Sequence, residues 1–181
     1  LATLWKLQLA AGDPCPLMQQ QQVECFDQKA TLTTVQQLDR PGIVALYDGS
    51  KKPVYAILNG LGPQSATLLV NGAAQTVSLN TLLQLWRGEF STLWRAPAEY
   101  RGKVRVGASG PPVDWLGSRL ALIQGGPQPA EGKRFDAVLK SQIAAFQLSN
   151  GLKADGVAGP ETFMQLNRAI GVGEPKLVAG K

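Results

Sequence analysis

The clearest hydrophobic pattern in this chain lies between residues 135 and 170, where apolar side chains recur at nearly helical spacing. The spacing predicts a helix with one apolar stripe, formed by Val138, Ile143, Phe146 and Leu148. Asn150-Gly151 predicts the end of this helix, because glycine readily adopts the left-handed conformation of a C-terminal cap. Pro160 predicts the start of another helix, since a proline in the first turn loses no hydrogen bond there.

A further helix is predicted ahead of these two, in the segment PVDWLGSRLALI. Its apolar residues share one helical face, and they are Val113, Leu116, Leu120 and Ile123. The three helices together predict a small bundle of about 60 residues.

The first half of the chain has a different pattern, with short β-branched or aromatic runs separated by Gly, Asn or Asp. The predicted strands are GIVALYDG, PVYAILNG, SATLLVNG, AQTVSL and FSTLWR. Asn71-Gly72 predicts a tight hairpin turn, and short helices are predicted for residues 15–26 and 31–38. Strands in close succession indicate an antiparallel sheet with helices packed on one side, which is an α+β fold.

The composition changes between residues 96 and 112, where APAEYRGKVRVGASGPP carries three prolines and three glycines. Such a segment is typical of an inter-domain connection. We therefore expect a domain at residues 1–98, a linker at 99–110, a three-helix domain at 111–171 and a frayed tail at 172–181.

Charge and size narrow the possible functions. The 181 residues carry a net charge of +5 and 44% hydrophobic residues, which indicates a folded protein rather than a disordered one. The basic residues are scattered and poorly interleaved with aromatic ones, which argues against nucleic-acid binding. No apolar run approaches the roughly 18 residues of a membrane span. Because Leu1 is not an initiator Met, we expect a processed product or an excised fragment, with any targeting or anchoring segment upstream.

The chain has no His and only two cysteines, Cys15 and Cys25. Cys15 lies just ahead of a predicted helix, where a thiolate gains from the helix dipole, but a cysteine peptidase also needs an imidazole base. A Cys–His dyad within this chain is therefore excluded, and two Cys without His cannot assemble a four-ligand zinc site. The pair fits either a disulfide in an oxidising compartment or two buried thiols in the cytosol. No nucleotide motif occurs, and no cofactor is expected.

The C-terminal helices carry the most specific motif, which combines FD-x-x-L, A-x-F-Q and N-G-L-x-x-D-G-x-x-G-P-x-T. It resembles the peptidoglycan-binding domain of bacterial wall hydrolases and transpeptidases. The resemblance implies a ligand groove beside the D-G-x-x-G-P-x-T loop and these candidate binding residues: Gln147, Asn150, Asp155, Gly156, Gly159 and Thr162. The polar side chains among them can hydrogen-bond peptide amides and sugar hydroxyls. For Asp155 and Thr162, capping and turn chemistry is an equally good interpretation.

The first domain resembles the papain-like peptidases that process bacteriocin leader peptides. The matching stretch is Arg40-Pro41-Gly42-Ile43-Val44-Ala45-Leu46, followed by a strand that begins near Val54, where the family has its catalytic His. Asn71-Gly72 stands where the family places the carboxylate or amide partner of that His. Only Cys15 matches the catalytic set, so the resemblance implies a papain-like fold that is a degenerate cysteine peptidase.

The domain order and the motifs GDPC, LDRP, W-x-G-E-F-x-x-L-W-R-x-P and V-x-W-L resemble the periplasmic region of the general secretion pathway protein A family. Members of that family carry a cytoplasmic ATPase and one membrane helix ahead of this region. The resemblance implies a periplasmic location, a disulfide between Cys15 and Cys25, and no catalytic residues in this segment. It also implies peptidoglycan, protein B of the pathway and the type II secretion secretin as partners, self-association, and membrane attachment only through a segment absent from this chain.

Two other functions stay open beside a non-catalytic wall-binding module that assists secretin assembly. A wall-remodelling hydrolase or peptidase would use the bundle for targeting, although a small bundle offers Asp136, Asp155 and Glu161 no deep cleft for glycoside hydrolysis. A pure protein-docking domain would make wall binding vestigial. Binding to purified wall sacculi, and release of soluble muropeptides from them, distinguish these functions.

Overall fold

The computed structural model describes residues 1–49 and 52–179, so the last two residues of the predicted tail lie outside the described part. The chain divides into two compact units. The first consists of Leu1–Leu93 together with the segment that begins at Glu174, and the second is Trp94–Gly173. The helical unit therefore begins earlier than the sequence predicts, and most of the predicted tail belongs to the first unit.

The first unit is built on a sheet whose strands are β1 (Val23–Lys29), β2 (Gly42–Leu46), β3 (Val54–Leu61), β4 (Ser65–Val70), β5 (Ala73–Ser78), β6 (Trp86–Arg95) and β7 (Val178–Ala179). The strand order is β1-β6-β2-β3-β4-β5, and β2, β3, β4 and β5 pair antiparallel in succession. Asn71 and Gly72 turn from β4 to β5 with φ values of 49° and 84°, as their dipeptide predicts. The α+β class with an antiparallel sheet is confirmed.

Three short helices accompany this sheet: α1 (Pro14–Gln19), α2 (Leu32–Leu38) and α3 (Leu79–Leu85). Each begins where a side-chain oxygen accepts a hydrogen bond from a backbone N–H of the first turn. The capping residues are Asp13, Thr31 and Ser78. These oxygens satisfy donors that have no partner inside the helix, which fixes where each helix starts.

The helix predicted for residues 15–26 is wrong in its second half. The helix α1 ends at Gln19, and the chain continues as strand β1 from Val23, beside β6. Pairing in the sheet overrides the local composition here, because the side chain of Val23 is fully buried. Cys15 of α1 and Cys25 of β1 form a disulfide, so the oxidised alternative is the one the structure contains. Closing so short a loop stabilises the fold by about 2–3 kcal/mol.

The C-terminal segment is packed against the first unit rather than frayed. Strand β7 pairs in parallel with β3, with Val178 opposite Gly60. Near Gly60, strand β3 pairs with β4 on one side. On its other side β2 pairs with β3 only as far as Leu58, and β7 pairs there beyond the end of β2. The Glu174 carboxylate makes a buried ion pair with Arg40 at 3.1 Å. Local periodicity could not predict this segment, because its partners lie far away along the chain.

The second unit contains the three predicted helices, α4 (Pro111–Gln124), α5 (Ala137–Ser149) and α6 (Pro160–Ala169). Prolines occupy the first turns of α4 and α6, as the sequence predicts for α6. Gly151 follows α5 with a φ of 67°, which is the left-handed conformation predicted for the end of this helix. The small helical bundle is therefore confirmed.

The apolar stripes predicted for α4 and α5 are only partly correct. Ile123 is 40% exposed in the last turn of α4, and the other three predicted α4 residues are buried. In α5, Val138 and Leu148 are 65% and 72% exposed, whereas Ile143 and Phe146 are buried. The inward face of α5 instead follows a stricter three- and four-residue spacing, and it comprises Leu139, Ile143, Phe146, Gln147 and Asn150.

Residues 99–110, predicted as a linker, pack within the second unit. Val104 forms an isolated antiparallel bridge with Ala158, through two backbone hydrogen bonds of 2.9 Å. Tyr100 packs edge-on against Trp94 and Phe163, whose rings stack on each other at 5.7 Å. Its three glycines, Gly102, Gly107 and Gly110, have positive φ where the segment turns, and its contacts hold it in place.

Candidate functional site

The loop between α5 and α6 contains most of the binding residues predicted from the sequence, and Gln147 holds it together. The Gln147 side chain is almost fully buried on the inner face of α5. Its Nε2 group donates to the carbonyl oxygen of Val157 at 2.9 Å and to Thr162 Oγ1 at 3.1 Å. Its Oε1 atom accepts from the N–H of Gly156 at 2.9 Å. One amide therefore connects α5, the loop and the first turn of α6.

Asp155 closes the exposed side of the same loop. Its Oδ1 atom accepts a hydrogen bond of 2.9 Å from the N–H of Val157, and Gln147 Nε2 lies 3.4 Å away. The backbone hydrogen bond from Val157 holds the pKa of Asp155 below its ordinary value, partial burial opposes this, and the Gln147 amide and Lys153 reinforce it. The Lys153 ammonium lies 3.7 Å from the other carboxylate oxygen in an exposed pair, a kind that contributes little to stability.

The two candidate glycines of the loop have different roles. Gly156 has a φ of 68°, and a Cβ there would lie 2.9 Å from the carbonyl oxygen of Lys140. Both the backbone conformation and the close approach therefore require glycine at this position. Gly159 has a φ of −97° and caps α6, and a Cβ there would make ordinary contacts with the Lys103 side chain. The sequence motif alone did not show that glycine is required at position 156 but not at position 159.

The six predicted residues are close together in the structure, but most of their polar groups bind one another. Gln147, Asp155, Gly156 and Thr162 share one hydrogen-bond network. Asn150 donates instead to the carbonyl oxygen of Phe146 at 2.8 Å, at the end of α5. Asp155 therefore makes a turn hydrogen bond, whereas Thr162 accepts from Gln147 and does not cap α6. Contact of any of the six with a ligand stays a prediction.

A groove between α4 and α5 is a second candidate site, and the sequence did not predict it. Its volume is about 320 Å³, and the loop at residues 125–136 forms one wall. The apolar part of its lining includes Val113, Gly117, Ala121, Pro129, Val138 and Leu139. Lys133 and Arg134 add two positive charges to the lining, and Asp114 and Asp136 add two negative ones. One feature of the sequence was available as a signal, an unusually long, proline-containing loop.

The positions that resemble a peptidase site do not supply a nucleophile or a base. Cys15 is held in the disulfide with Cys25, and no His occurs anywhere in the sequence. Val54, which the sequence resemblance aligns with the catalytic His of the peptidases, starts β3 about half exposed. Within residues 1–49 and 52–179, no cluster of three or more His, Cys, Asp or Glu side chains could hold a metal ion. No helix in the same residues is long and apolar enough to cross a bilayer.

Comparison with known proteins first defines the class of the helical unit. Residues 109–166 match the family described as "Putative peptidoglycan binding domain". The match covers α4, α5, the Gln147 network and most of α6. A shorter similarity, 38% identity over 68 residues, links the chain to the zinc D-Ala-D-Ala carboxypeptidase of Streptomyces albus G, of which it covers 27%.

Matches along most of the chain then define the family more closely. The chain is 34% identical over 155 residues to general secretion pathway protein A of Aeromonas hydrophila. That match covers 86% of this chain but only 28% of the relative. A crystal structure of a periplasmic domain of the EpsAB fusion protein of the Vibrio vulnificus type II secretion system covers 96% of this chain and 77% of that one, with 25% identity and a TM-score of 0.59. The chain therefore corresponds to a region of the general secretion pathway protein A family that includes a peptidoglycan-binding-type domain.

Proposed function

We propose that this chain is a non-catalytic peptidoglycan-binding module of type II secretion, which acts in the periplasm. The observation that carries the proposal is the coincidence of the family match at residues 109–166 with a helical unit whose loop is fixed from inside. A loop that is ordered before binding loses little conformational entropy when a ligand arrives, so a shallow site can still bind usefully. The similarity to general secretion pathway protein A over 86% of the chain supports the link to secretion.

The proposal extends to a role in secretin assembly. Attachment of this module to the wall would hold the secretion apparatus at one place while the secretin assembles through the peptidoglycan. The proposed partners are peptidoglycan, protein B of the pathway, the secretin and further copies of this chain. Sedimentation velocity with and without soluble wall fragments tests self-association, and a single sedimenting species at the monomer mass under both conditions would contradict that part.

The non-catalytic part of the proposal is supported by the absence of the residues that cysteine-peptidase chemistry needs. A thiolate nucleophile requires a free cysteine, and Cys15 is bonded to Cys25. A general base able to activate such a nucleophile is normally an imidazole, and the sequence has none. The similarity to a zinc carboxypeptidase favours the alternative of a wall-remodelling enzyme. We interpret that similarity as a wall-targeting domain that both proteins share.

A sacculus pull-down with the full chain tests the proposal. The wild-type chain should sediment with purified sacculi and remain in the supernatant without them. Gly156→Val should lose much of this binding, because it places a branched side chain at a left-handed glycine and against the Lys140 carbonyl. Gly159→Ala is the matched control in the same loop, and it should sediment like the wild type.

The same incubation tests the enzymatic alternative. Release of soluble muropeptides by the wild-type chain, lost when Cys15 is replaced by Ser, would show that the module is an enzyme. A folded wild-type chain that stays in the supernatant at moderate salt would contradict peptidoglycan binding itself.

A further inference from the structure

The groove between α4 and α5 is shaped before any ligand binds. The loop that forms its wall is tied to α4 by a hydrogen bond of 2.9 Å from the N–H of Gly132 to Asp114 Oδ1. Its base is fixed by Phe135, whose N–H donates to the carbonyl oxygen of Ala108 and whose own carbonyl accepts from Gly107. The loop also packs closely on α4, because a Cβ on Gly117 would lie 3.1 Å from Pro129 Cγ. The two prolines of this loop further restrict its backbone.

The carboxylates that line the groove have hydrogen-bond partners within the protein, and the cations that line it have no ion-pair partner among the described residues. Asp114 is bonded to Gly132, and Asp136 accepts the N–H of Leu139 at the start of α5 at 2.8 Å. Both carboxylates therefore use an oxygen to hold the backbone. Lys133 and Arg134 are exposed, and within the described residues no carboxylate lies within ion-pair distance of either. The groove thus contains two carboxylates that hold the backbone and, beside a small apolar surface, two cations that are available to a ligand.

This combination selects a small anionic ligand with apolar groups. A volume of about 320 Å³ is at the lower end of ligand pockets, which suits a short segment of a polymer rather than a folded partner. The floor provided by Ala121, Pro129 and Val138 suits methyl groups and methylene chains. The guanidinium of Arg134 can bind a carboxylate with two parallel hydrogen bonds, and Lys133 adds a second positive charge.

We infer that this groove binds the carboxylate-bearing stem peptide of peptidoglycan, with its carboxylates on Lys133 and Arg134 and an alanine methyl group on the apolar floor. The inference rests on the proposed function and adds the substrate class and the site. It places ligand contact in the groove rather than at the loop that Gln147 holds, because the polar groups of that loop are already bonded to one another. The loop then acts by positioning α5, and its residues do not touch the ligand.

Calorimetric titration of the full chain with a soluble stem tripeptide tests the assignment. We expect binding of the tripeptide with free carboxylates, about tenfold or more weaker binding after its carboxylates are amidated, and no binding of the wall disaccharide without peptide. Added salt should weaken the binding, since the contacts are exposed ion pairs. Equal affinity for the free and amidated tripeptides, or binding of the disaccharide alone, would overturn the inference.

Variants locate the site. Lys133→Ala and Arg134→Ala should each weaken tripeptide binding about three- to fivefold, which is the range of a single exposed ion pair. Lys153→Ala removes an equal charge from the α5–α6 loop and is the matched control, with unchanged affinity. Ala121→Leu should fill the groove and reduce binding further, whereas Leu122→Ala, at an exposed neighbouring position outside the lining, should not.

The outcomes separate this inference from the proposed function. One outcome is that the wild type sediments with sacculi while the Lys133, Arg134 and Ala121 variants bind the tripeptide as tightly as the wild type. In that case the groove is the wrong site, but wall binding itself is supported. If the wild type fails to sediment with sacculi, the proposed function fails first. Circular dichroism of each variant establishes that a lost affinity does not reflect a lost fold.

Discussion

Replacing Gln147 with Ala should destabilise the helical unit rather than remove a single ligand contact. In the wild type this amide satisfies the N–H of Gly156 and the hydroxyl of Thr162, and Thr162 is itself buried. The carbonyl of Val157 keeps a second partner, the N–H of Gly159 at 3.1 Å, so it is not orphaned. Two orphaned groups at about 1–3 kcal/mol each give a loss of about 2–6 kcal/mol. That is a large part of the stability of a typical domain, about 5–15 kcal/mol.

Urea unfolding followed by tryptophan fluorescence measures this loss, because Trp94 and Trp115 both contact Phe163 within the helical unit. Hydrogen exchange of the Gly156 amide gives a local measure, and its protection should fall in the variant. Gln142→Ala is the matched control, since it removes the same side chain from a partly exposed position on the same helix. Its effect should stay within about 0.5 kcal/mol. Equal unfolding midpoints for the two variants, with Gly156 still protected, would refute the reasoning.

Three further predictions concern single interactions. Gly156→Ala should lower the free energy of unfolding by about 1–2 kcal/mol for the left-handed backbone alone, and Gly159→Ala should change it little; identical denaturation curves would contradict the assignment of φ. Glu174→Gln should cost about 3–5 kcal/mol, because it removes the carboxylate that pairs with the buried Arg40 guanidinium; an unchanged midpoint in urea would show that the pair contributes nothing. The lowered pKa of Asp155 means that its contribution is present above about pH 4 and is lost as the pH falls through the folded-state pKa. Asp155→Asn should flatten this part of the stability profile, and an unaltered acid limb would contradict it.

Local signals in the sequence predicted much of this fold. The Asn71-Gly72 turn and the proline at the start of α6 depend on neighbouring residues alone, so they could be recognised without tertiary information. The strands β2 to β5 were predicted near their observed positions for the same reason. A short apolar run between turn residues has few alternative secondary structures once the neighbouring runs also form strands.

Other features depend on partners far apart along the chain. The pairing of β7 with β3 and the ion pair between Glu174 and Arg40 have no local signature, so the segment was predicted to fray. Gln147 was identified as important, but as a ligand contact. A polar residue four positions after buried Ile143 lies on the inward face of the helix, and this spacing was the signal for a buried structural amide. The groove between α4 and α5 depends on a loop conformation that no sequence pattern specifies.

The return of the chain to β3 after the bundle means that the helical unit is nested within the first unit in sequence. The helical unit is inserted between strands β6 and β7 of one sheet. While it is folded, the inserted residues stay compact. If residues 94–173 unfold while β7 stays in place, they become a flexible loop whose closure costs about 4 kcal/mol. A ligand that stabilises the bundle therefore also secures the last strand of the other unit, although it never touches it. In this architecture, occupancy of the helical unit and retention of β7 are thermodynamically linked through chain entropy.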